Sequence, residues 1–415
     1  MKCCERIRSY FLKIQMIVLI LYKLAAEKMT VKLNKSVAIL LGCICLMSCI
    51  YDYNPKDESL PGLMEPHFVI DGDIIVGGFT KIKLGFTETL LGETKDLPTG
   101  ITVAVESEEG EYIYGALADD VENLFEIDTR NLKTNGSYRL CVSVPGRGEY
   151  VSEFKQVVLT PPIDTITWSM SHDSSYVDIE VSTNTDGDET LYCKWNYDEN
   201  WESPSYYQPS LRYDRKTERL IDLTEEEKVE RSCCWSEAHS SYVLIANTER
   251  LEDNIISKFV VNKIAPTDTR VRGLYSINIV QRALDKEAYS YWAELQRNMQ
   301  STGGIFSAQP TELKGNIVSL SNPSEEVIGY ISVTTTTEKR VFIDWSEIKF
   351  FSTGCSLNLI DAGDKIMMTN YYRQGYIPVS YSEALGEKVK AFWTVLQCAD
   401  CRSYSNSTRP DFWPR

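Results

Sequence analysis

Histidine is nearly absent from this chain of 415 residues, which holds only His67, His172 and His239. A structural zinc site usually takes about four cysteine or histidine ligands, so three isolated histidines argue against a histidine-based metal centre. Each histidine also stands apart from the others in the sequence, which favours a surface or strand position over acid–base catalysis. We therefore expect neither a metal nor a cofactor.

Common catalytic motifs are missing as well. The sequence contains no nucleophile elbow, no phosphate-binding loop with its lysine and no paired-histidine zinc motif. The segment PGRGEY has a Gly-x-Gly spacing, but it lies between two strand patterns and predicts a hairpin turn. The segment TDGDE at 185–189 lacks the alternating carboxylates of a calcium loop and also predicts a turn. We expect no catalytic residue, and a hydrolase that uses dispersed carboxylates is the lesser alternative.

Long apolar runs are absent after residue 49, so we expect no transmembrane helix there. Before it, the segment VAILLGCICLMSC follows Lys32 and Lys35 and ends at Cys49. Its apolar part is too short to span a bilayer, which needs about 20 residues. The order of positive charge, apolar run and small residue is typical of a secretory signal peptide. The ending resembles a bacterial lipobox, in which Cys49 would carry the lipid and two or more acyl chains would anchor the protein stably.

Two translation starts fit the first 48 residues. Met29 begins a signal peptide of ordinary size, so we interpret Met29 as the true start and residues 1–28 as a mis-assigned extension. The alternative is a genuine membrane segment that contains the second apolar run, IQMIVLILY. Residues 49–65 are polar and contain proline, and they predict a tether between the lipid and the first domain.

Positive charge is scarce in the rest of the chain. The whole sequence has 43 Lys and Arg against 59 Asp and Glu, a net charge of −16, and residues 49–415 keep 35 against 57. Nucleic acid and anionic membrane surfaces would repel such a chain. The charge suits a soluble body on a lipid tether, and we expect no nucleic-acid partner.

Seven cysteines follow Cys49, an odd number that leaves at least one without an intramolecular partner. An exported chain permits disulfides. Cys398 and Cys401, in the segment CADC, predict a local disulfide, with half a zinc site or a redox motif as alternatives. Cys233 or Cys234, together with Cys355, are the other disulfide candidates.

Short runs of alternating apolar and polar residues, separated by turn signals, predict a mostly β protein. We expect two antiparallel β-sandwiches of the immunoglobulin, prealbumin or fibronectin kind. The segment HFVIDGDIIVGGFTKIKLGF predicts two strands joined by a turn at Asp71-Gly72. In GSYRLCVSV one face collects the apolar residues Tyr138, Leu140, Val142 and Val144.

The predicted domains follow one another along the chain. The first sandwich covers 66–160, and the second covers 161–310 with an insertion at about 203–232. Within the second, the residues on the core face of one strand are Leu191, Cys193, Trp195 and Tyr197. One amphipathic helix is predicted at 285–300, capped by Asp285. Residues 311–415 form an irregular, cysteine-containing extension with a hairpin around Asn322-Pro323.

Aromatic residues are dense between 192 and 213, where tyrosine and tryptophan offer a surface suited to partner contact. Trp195 and Tyr197 are interpreted as core. Trp201, Tyr206 and Tyr207 are predicted to lie beyond the strand and to contact a ligand or partner, so that alanine there should weaken binding without unfolding the protein. The terminal RPDFWPR is expected to pack back on the body, with a docking tail as the alternative.

Several segments, taken in order, resemble a family of Bacteroidetes outer-membrane lipoproteins classed as a domain of unknown function. They are the lipobox, FVIDGDI, PPIDTITW, YSINIVQRALDKEAYSYWAELQRN, TGGIFSAQP, EEVIGYISV and CADCRSYSNSTRPDFW. Members are commonly encoded beside TonB-dependent transporters, which implies a role at such a transporter. The family has no agreed catalytic residues, so the resemblance implies none here.

These observations together predict a lipid-anchored protein of the outer membrane, on either its periplasmic or its surface side. We expect a non-enzymatic accessory component of a TonB-dependent transport system. The alternative is a free-standing, adhesin-like surface lipoprotein that binds a glycan or a protein. The two hypotheses differ in whether a transporter accompanies the chain.

Overall fold

Alternating side chains form short antiparallel strands throughout the part of the chain that the computed structural model describes. The described residues are 66–88, 95–119, 121–185, 190–251, 253–300, 313–345, 354–384, 387–406 and 408–414. The predictions for the signal peptide, for Met29, for Cys49 and for the tether lie outside these residues, as does most of the predicted turn at 185–189. Residues Gly62–Arg415 form one unit by their internal contacts.

The described residues between 66 and 160 form nine strands. They are β1 (Phe68–Ile75), β2 (Phe79–Phe86), β3 (Thr102–Ser107), β4 (Tyr112–Tyr114), β5 (Ala116–Leu117), β6 (Leu124–Asp128), β7 (Ser137–Val144), β8 (Gly148–Ser152) and β9 (Lys155–Gln156).

The middle of the chain adds nine strands and two helices among its described residues. They are β10 (Ile163–Met170), β11 (Val177–Asn184), β12 (Tyr192–Pro204), β13 (Leu211–Asp214), β14 (Arg219–Asp222), α1 (Glu225–Ser232), β15 (Cys233–His239), β16 (Leu244–Asn247), β17 (Ile255–Ile264), β18 (Leu274–Ala283) and α2 (Lys286–Gln300).

The last part adds seven strands and two helices, again among the residues described. They are β19 (Ile317–Ser319), β20 (Val327–Ile328), β21 (Val333–Thr334), β22 (Thr336–Asp344), β23 (Asn358–Asp361), α3 (Lys365–Arg373), β24 (Tyr376–Ala384), β25 (Glu387–Val395) and α4 (Leu396–Ala399).

The first sandwich is made of two sheets with the orders β20-β1-β2-β6-β5 and β19-β8-β7-β3-β4; β21 also pairs with β1, and β9 with β7. Strand β7 shows why they pack together, because its alternate residues Tyr138, Leu140, Val142 and Val144 are all buried in the first core, as predicted. The mostly β fold with antiparallel sheets is therefore confirmed.

Strand β1 runs straight through Asp71 and Gly72, so the predicted turn at this position is wrong. Gly72 has φ +147°, and a Cβ there would lie 2.4 Å from the carbonyl oxygen of Lys81 on the neighbouring strand. Gly72 thus allows β1 and β2 to approach each other closely, and the chain does not reverse direction there. The chain reverses instead at Gly77 and Gly78.

The hairpin predicted around Asn322-Pro323 does not form. Strand β19 pairs antiparallel with β8, whereas β20 pairs parallel with β1, so the two strands join opposite sheets of the first sandwich. The physical reason is burial. Ile317, Val327 and Ile331 are part of the first core, whereas an isolated hairpin would leave these side chains exposed to water.

The second sandwich packs a sheet of order β10-β11-β17 against one of order β15-β12-β18-β22, with β16 paired to β12. Its core contains the predicted residues, namely Cys193, Trp195 and Tyr197 of β12 and Leu191 directly before this strand. The indole Nε1 of Trp195 donates to Gln281 Oε1 at 2.8 Å, which satisfies the buried polar end of this ring.

Helix α2 confirms the predicted amphipathic helix and its cap. The amide of Ala288 donates to Asp285 Oδ1 at 2.7 Å, so the carboxylate satisfies one of the free N–H groups at the helix start. Ala288 is fully buried, and Trp292 packs beside it in a small core with Tyr330.

The carboxy-terminal extension is more regular than its sequence indicates. Strands β23, β25 and β24 form a sheet, and α3 packs beside it over a third core that includes Trp393 and Met368. Leu211 and Tyr213 of the β13–β14 hairpin, which belongs to the predicted insertion, complete this core. Trp413 is buried, and its Nε1 donates to Glu202 Oε1 at 2.9 Å, so the terminal segment packs back as predicted.

Four of the five predicted disulfide cysteines form two disulfides, but the local Cys398–Cys401 pairing is wrong. Cys401 bonds to Cys234, and Cys398 bonds to Cys355. Cys398 lies within the short helix α4, and Cys401 begins the turn that follows it. The two side chains therefore reach different partners, Cys355 and Cys234. Cys233 stays a free thiol, with Cys141 and Cys193, among the described residues.

Removing the Cys234–Cys401 bond should destabilise the oxidised protein strongly, because it closes a loop with a sequence separation of 167 residues. In a Cys233→Ser background, which prevents Cys233 from bonding to Cys401 instead, Cys234→Ser is expected to lower the free energy of unfolding by about 2–5 kcal/mol. Guanidinium denaturation with and without dithiothreitol measures this. Cys233→Ser alone is the control, and equal midpoints for the two variants would contradict the expectation.

Candidate functional site

A cleft of about 470 Å³ lies where the first sandwich meets the second. Strands β1 and β2 of the first sandwich form one wall, and β12, β18 and helix α2 of the second form the other. The residues that define its chemistry are Asp71, Asp73, Lys194, Arg282, Trp292 and Tyr242. We call this the junction cleft.

A buried ion pair lies at the floor of the junction cleft. Lys194 Nζ donates to Asp73 Oδ2 at 2.8 Å, with the two side chains only 9% and 5% exposed. Arg282 Nε lies 3.8 Å from the same carboxylate oxygen. One carboxylate from the first sandwich therefore faces two cations from the second.

Strand register explains why this carboxylate is needed. Lys194 on β12 is directly opposite Arg282 on β18. Like charges at directly opposed positions of a sheet repel each other, and both of these side chains are largely removed from water. Asp73 compensates this repulsion, so a residue of the first sandwich stabilises the surface of the second.

Aromatic and amide groups hold the two cations in place. The Lys194 ammonium lies 3.9 Å from the centre of the Trp292 ring, a close cation–π contact. Arg282 Nη1 donates to Asn196 Oδ1 at 2.7 Å, and Asn196 Nδ2 donates to the Ser240 hydroxyl at 3.3 Å. The floor of the cleft is therefore pre-organised by strands and by α2 rather than by loops alone.

The electrostatics favour an ionised carboxylate at the floor. Burial opposes the charged form of Asp73, but Lys194 and Arg282 hold the pKa of its carboxyl below its usual value. Burial also lowers the pKa of Lys194, against the pull of Asp73. At the mouth, burial raises the pKa of Asp71. With two cations beside it, Asp73 stays ionised at neutral pH and acts as a fixed charge.

Exposed aromatic rings form the rim of the junction cleft. Phe79 and Tyr242 are both exposed, and Ser241 lies next to Tyr242 in the chain. A concave site with apolar walls and a few fixed polar groups is the usual form of a small-molecule binding site. The arrangement can hold a ligand with one apolar face and hydrogen-bonding groups on its edge.

The three contact residues predicted from the sequence lie elsewhere and do not form one surface. Trp201 is within β12, which extends to Pro204, and it packs against the second core. The Tyr207 hydroxyl donates to the carbonyl of Cys355 at 3.0 Å, so this ring supports the disulfide region. Tyr206 is 49% exposed, and the contact role stays a prediction for it.

No sequence pattern predicted the residues at the floor of the cleft. Lys194 stands between two core residues, Cys193 and Trp195, on the face of β12 that alternation assigns to solvent. Asp73 follows Gly72, where the sequence pattern predicted a turn. Only packing between the two sandwiches buries these charges, and no local pattern encodes that packing.

The described residues hold no group of three or more histidine, cysteine, aspartate or glutamate side chains placed to bind a metal ion. None of their helices is long and apolar enough to cross a membrane.

The fold and the cleft define a disulfide-linked β protein built of two sandwiches with a ligand-sized cleft at their junction. The family model described as "Domain of unknown function (DUF4249)" matches residues 51–340, and the chain belongs to this family. No curated protein matches the sequence. Among solved structures, trypsin-activated alpha-2-macroglobulin from Escherichia coli is similar to it at 11% identity, over 55% of this chain and 15% of that chain. Its TM-score is 0.18, so the similarity carries no functional argument.

Breaking the buried ion pair should cost far more than breaking a surface pair. Asp73→Asn leaves Lys194 and Arg282 without their counter-ion and is expected to lower the free energy of unfolding by about 3–5 kcal/mol. The matched control is Glu126→Gln, which removes a surface pair with Lys81 at 3.7 Å and should cost less than about 1 kcal/mol. Urea denaturation compares the two, and a loss at Asp73 no larger than the control's would contradict the assignment.

Proposed function

We propose that this protein is a lipid-anchored ligand-binding component of the outer membrane and an accessory to a TonB-dependent transport system. The observation that carries the proposal is the junction cleft, whose volume of about 470 Å³ and aromatic rim suit capture of a small ligand. In this role the protein would capture the ligand beside the transporter and pass it on to the transporter.

Binding rather than catalysis fits the chemistry of the cleft floor. The carboxylate of Asp73 accepts a hydrogen bond from Lys194 at 2.8 Å and lies beside Arg282, so its charge is compensated by the protein's own cations. A general base or nucleophile needs a carboxylate that reaches the substrate. This supports a binding role for the cleft in the proposed function.

The envelope location rests on the sequence before the first sandwich and on the disulfides. The apolar run that ends at Cys49 has the order of a lipoprotein signal, and lipid on this cysteine would hold the body at the bilayer. Disulfides form in exported proteins, and two link the carboxy-terminal region of this chain. The transporter link rests on the resemblance to Bacteroidetes lipoproteins encoded beside such transporters.

A second candidate function is a free-standing surface lipoprotein of the adhesin kind. The exposed ring of Tyr206, which packs edge-on against Tyr207 with their centres 4.8 Å apart, favours a contact surface away from the cleft. This candidate requires no transporter partner.

Affinity purification from native outer membranes distinguishes the two candidates. The tagged, lipidated protein, solubilised in mild detergent, is expected to bring down a TonB-dependent transporter in near-stoichiometric amount by mass spectrometry. Cys49→Ser should stay out of the membrane fraction and lose the transporter, because it has no site for the lipid. Recovery of the wild-type protein alone at the same yield would reject the accessory role and favour the free-standing binder.

Native mass spectrometry of the same preparation tests the cleft itself. The wild-type protein is expected to retain a co-purified small molecule, and Phe79→Ala/Tyr242→Ala is expected to lose it, because both rings line the rim. Tyr176→Ala, which removes an exposed tyrosine elsewhere, is the control and should retain the molecule. An equal mass increment in all three proteins would show that the ligand lies outside the cleft.

A further inference from the structure

A second concave surface lies on the outer face of the first sandwich, in the sheet that contains β4, β3, β7 and β8. It forms a groove of about 350 Å³ that shares no lining residue with the junction cleft. Its principal residues are Tyr112, Tyr114, Thr102, Glu106, Arg139 and Ser143. We call it the tyrosine groove.

The strand register explains the shape of the tyrosine groove. Tyr114 is opposite Ala104, and Ala104 is in turn opposite Cys141, so a tall ring on β4 stands beside two small side chains. One step along the sheet, Thr102 is opposite Ser143. Small residues in the middle strands leave a trough, and two of them supply hydroxyl groups to its floor.

Two exposed tyrosine rings form the wall of the groove. Tyr112 and Tyr114 are two residues apart in β4, so their side chains lie on the same face of the strand. They are 48% and 66% exposed. Their ring centres are 6.3 Å apart and their planes differ by only 22°, so the two rings stand nearly parallel along one edge of the groove. Neighbouring exposed aromatic rings of this kind offer an interaction site.

Hydrogen bonds and ring contacts fix the end of this wall. Interaction of the Tyr112 hydroxyl with the Glu106 carboxylate raises the pKa of Tyr112. Arg139 Nε donates to Glu106 Oε2 at 2.6 Å, and its guanidinium lies 4.5 Å from the centre of the Phe154 ring. Binding at a pre-organised wall costs little side-chain entropy.

Two of the three charges that line the groove, Glu106 and Arg139, compensate each other, and Glu149 opposite Ser143 adds an exposed carboxylate. Glu106 is buried and its carboxylate is bonded to Arg139, so neither offers a full free charge to an ion. Burial also raises the pKa of the Cys141 thiol to about 12, which keeps the thiol neutral at physiological pH. The Glu149 carboxylate repels anions and can accept hydrogen bonds from hydroxyl groups. The surface therefore suits an uncharged ligand that carries both an apolar face and hydroxyl groups.

We propose that the tyrosine groove binds a neutral oligosaccharide, with sugar rings stacked on Tyr112 and Tyr114 and their hydroxyl groups bonded to Thr102 and Ser143. A sugar ring has an apolar C–H face for the aromatic wall and hydroxyl groups around its edge for the floor. The groove's volume is that of a small-ligand site. A stable protein partner would need about 800 Å² on each side, much more than this trough provides.

Affinity electrophoresis of the purified soluble body, residues 50–415, tests the proposal in gels that contain starch, laminarin, xylan or galactomannan. The protein is expected to be retarded by at least one of these neutral polysaccharides. Tyr112→Ala/Tyr114→Ala should raise the dissociation constant about tenfold or more, since both stacking contacts are lost. Tyr114→Phe keeps the ring and should bind nearly as the wild type does.

Two controls separate this site from the rest of the molecule. Tyr176→Ala and the cleft variant Phe79→Ala/Tyr242→Ala should be retarded like the wild type. Circular dichroism and thermal unfolding verify that the double tyrosine variant is folded. Absence of retardation in all four gels, or equal retardation of the folded double variant, would overturn the proposal. Neither result depends on a transporter partner, so the outcome is independent of the accessory role.

Discussion

The structure depends on one carboxylate, Asp73, placed between two cations that would otherwise repel each other. Lys194 and Arg282 are opposed on neighbouring strands of the second sandwich, and both are shielded from water. Their compensation comes from the first sandwich, so the two sandwiches cannot separate without exposing an unbalanced charge pair. A buried ion pair adds little stability compared with apolar packing, but its directional contacts select one arrangement of the two sheets.

The order of the chain reinforces this dependence. Residues 313–345 first complete the first sandwich through β19, β20 and β21, and then enter the second sandwich as β22 beside β18. Neither sandwich is therefore formed by one continuous stretch of sequence. Pairings between strands so far apart carry a large loop-closure entropy, and folding dominated by them is slow. The Cys234–Cys401 disulfide fixes the last part of the chain to β15.

Local patterns predicted what depends on local physics. Alternation in β7 and β12 identified their buried faces, and Asp285 identified the start of α2, because burial period and capping act within a few residues. The pairing of β19 with β8, the partners of Cys398 and Cys401, and the burial of Lys194 depend on contacts between distant segments. The position of Trp201 could not be predicted for the same reason. It lies within β12 because it pairs with Tyr275 and Ser236, which are distant from it in the sequence.

The two concave surfaces follow one chemical principle. In the junction cleft the charge of Asp73 is balanced by Lys194, and in the tyrosine groove the charge of Glu106 is balanced by Arg139. In both, exposed aromatic rings stand beside a carboxylate that is already paired with a cation. Such surfaces gain their affinity from ring contact and from directed hydrogen bonds rather than from net charge, which is strongly negative over the whole chain. Ligand recognition by shape and hydroxyl groups is therefore compatible with an acidic body that repels other anions.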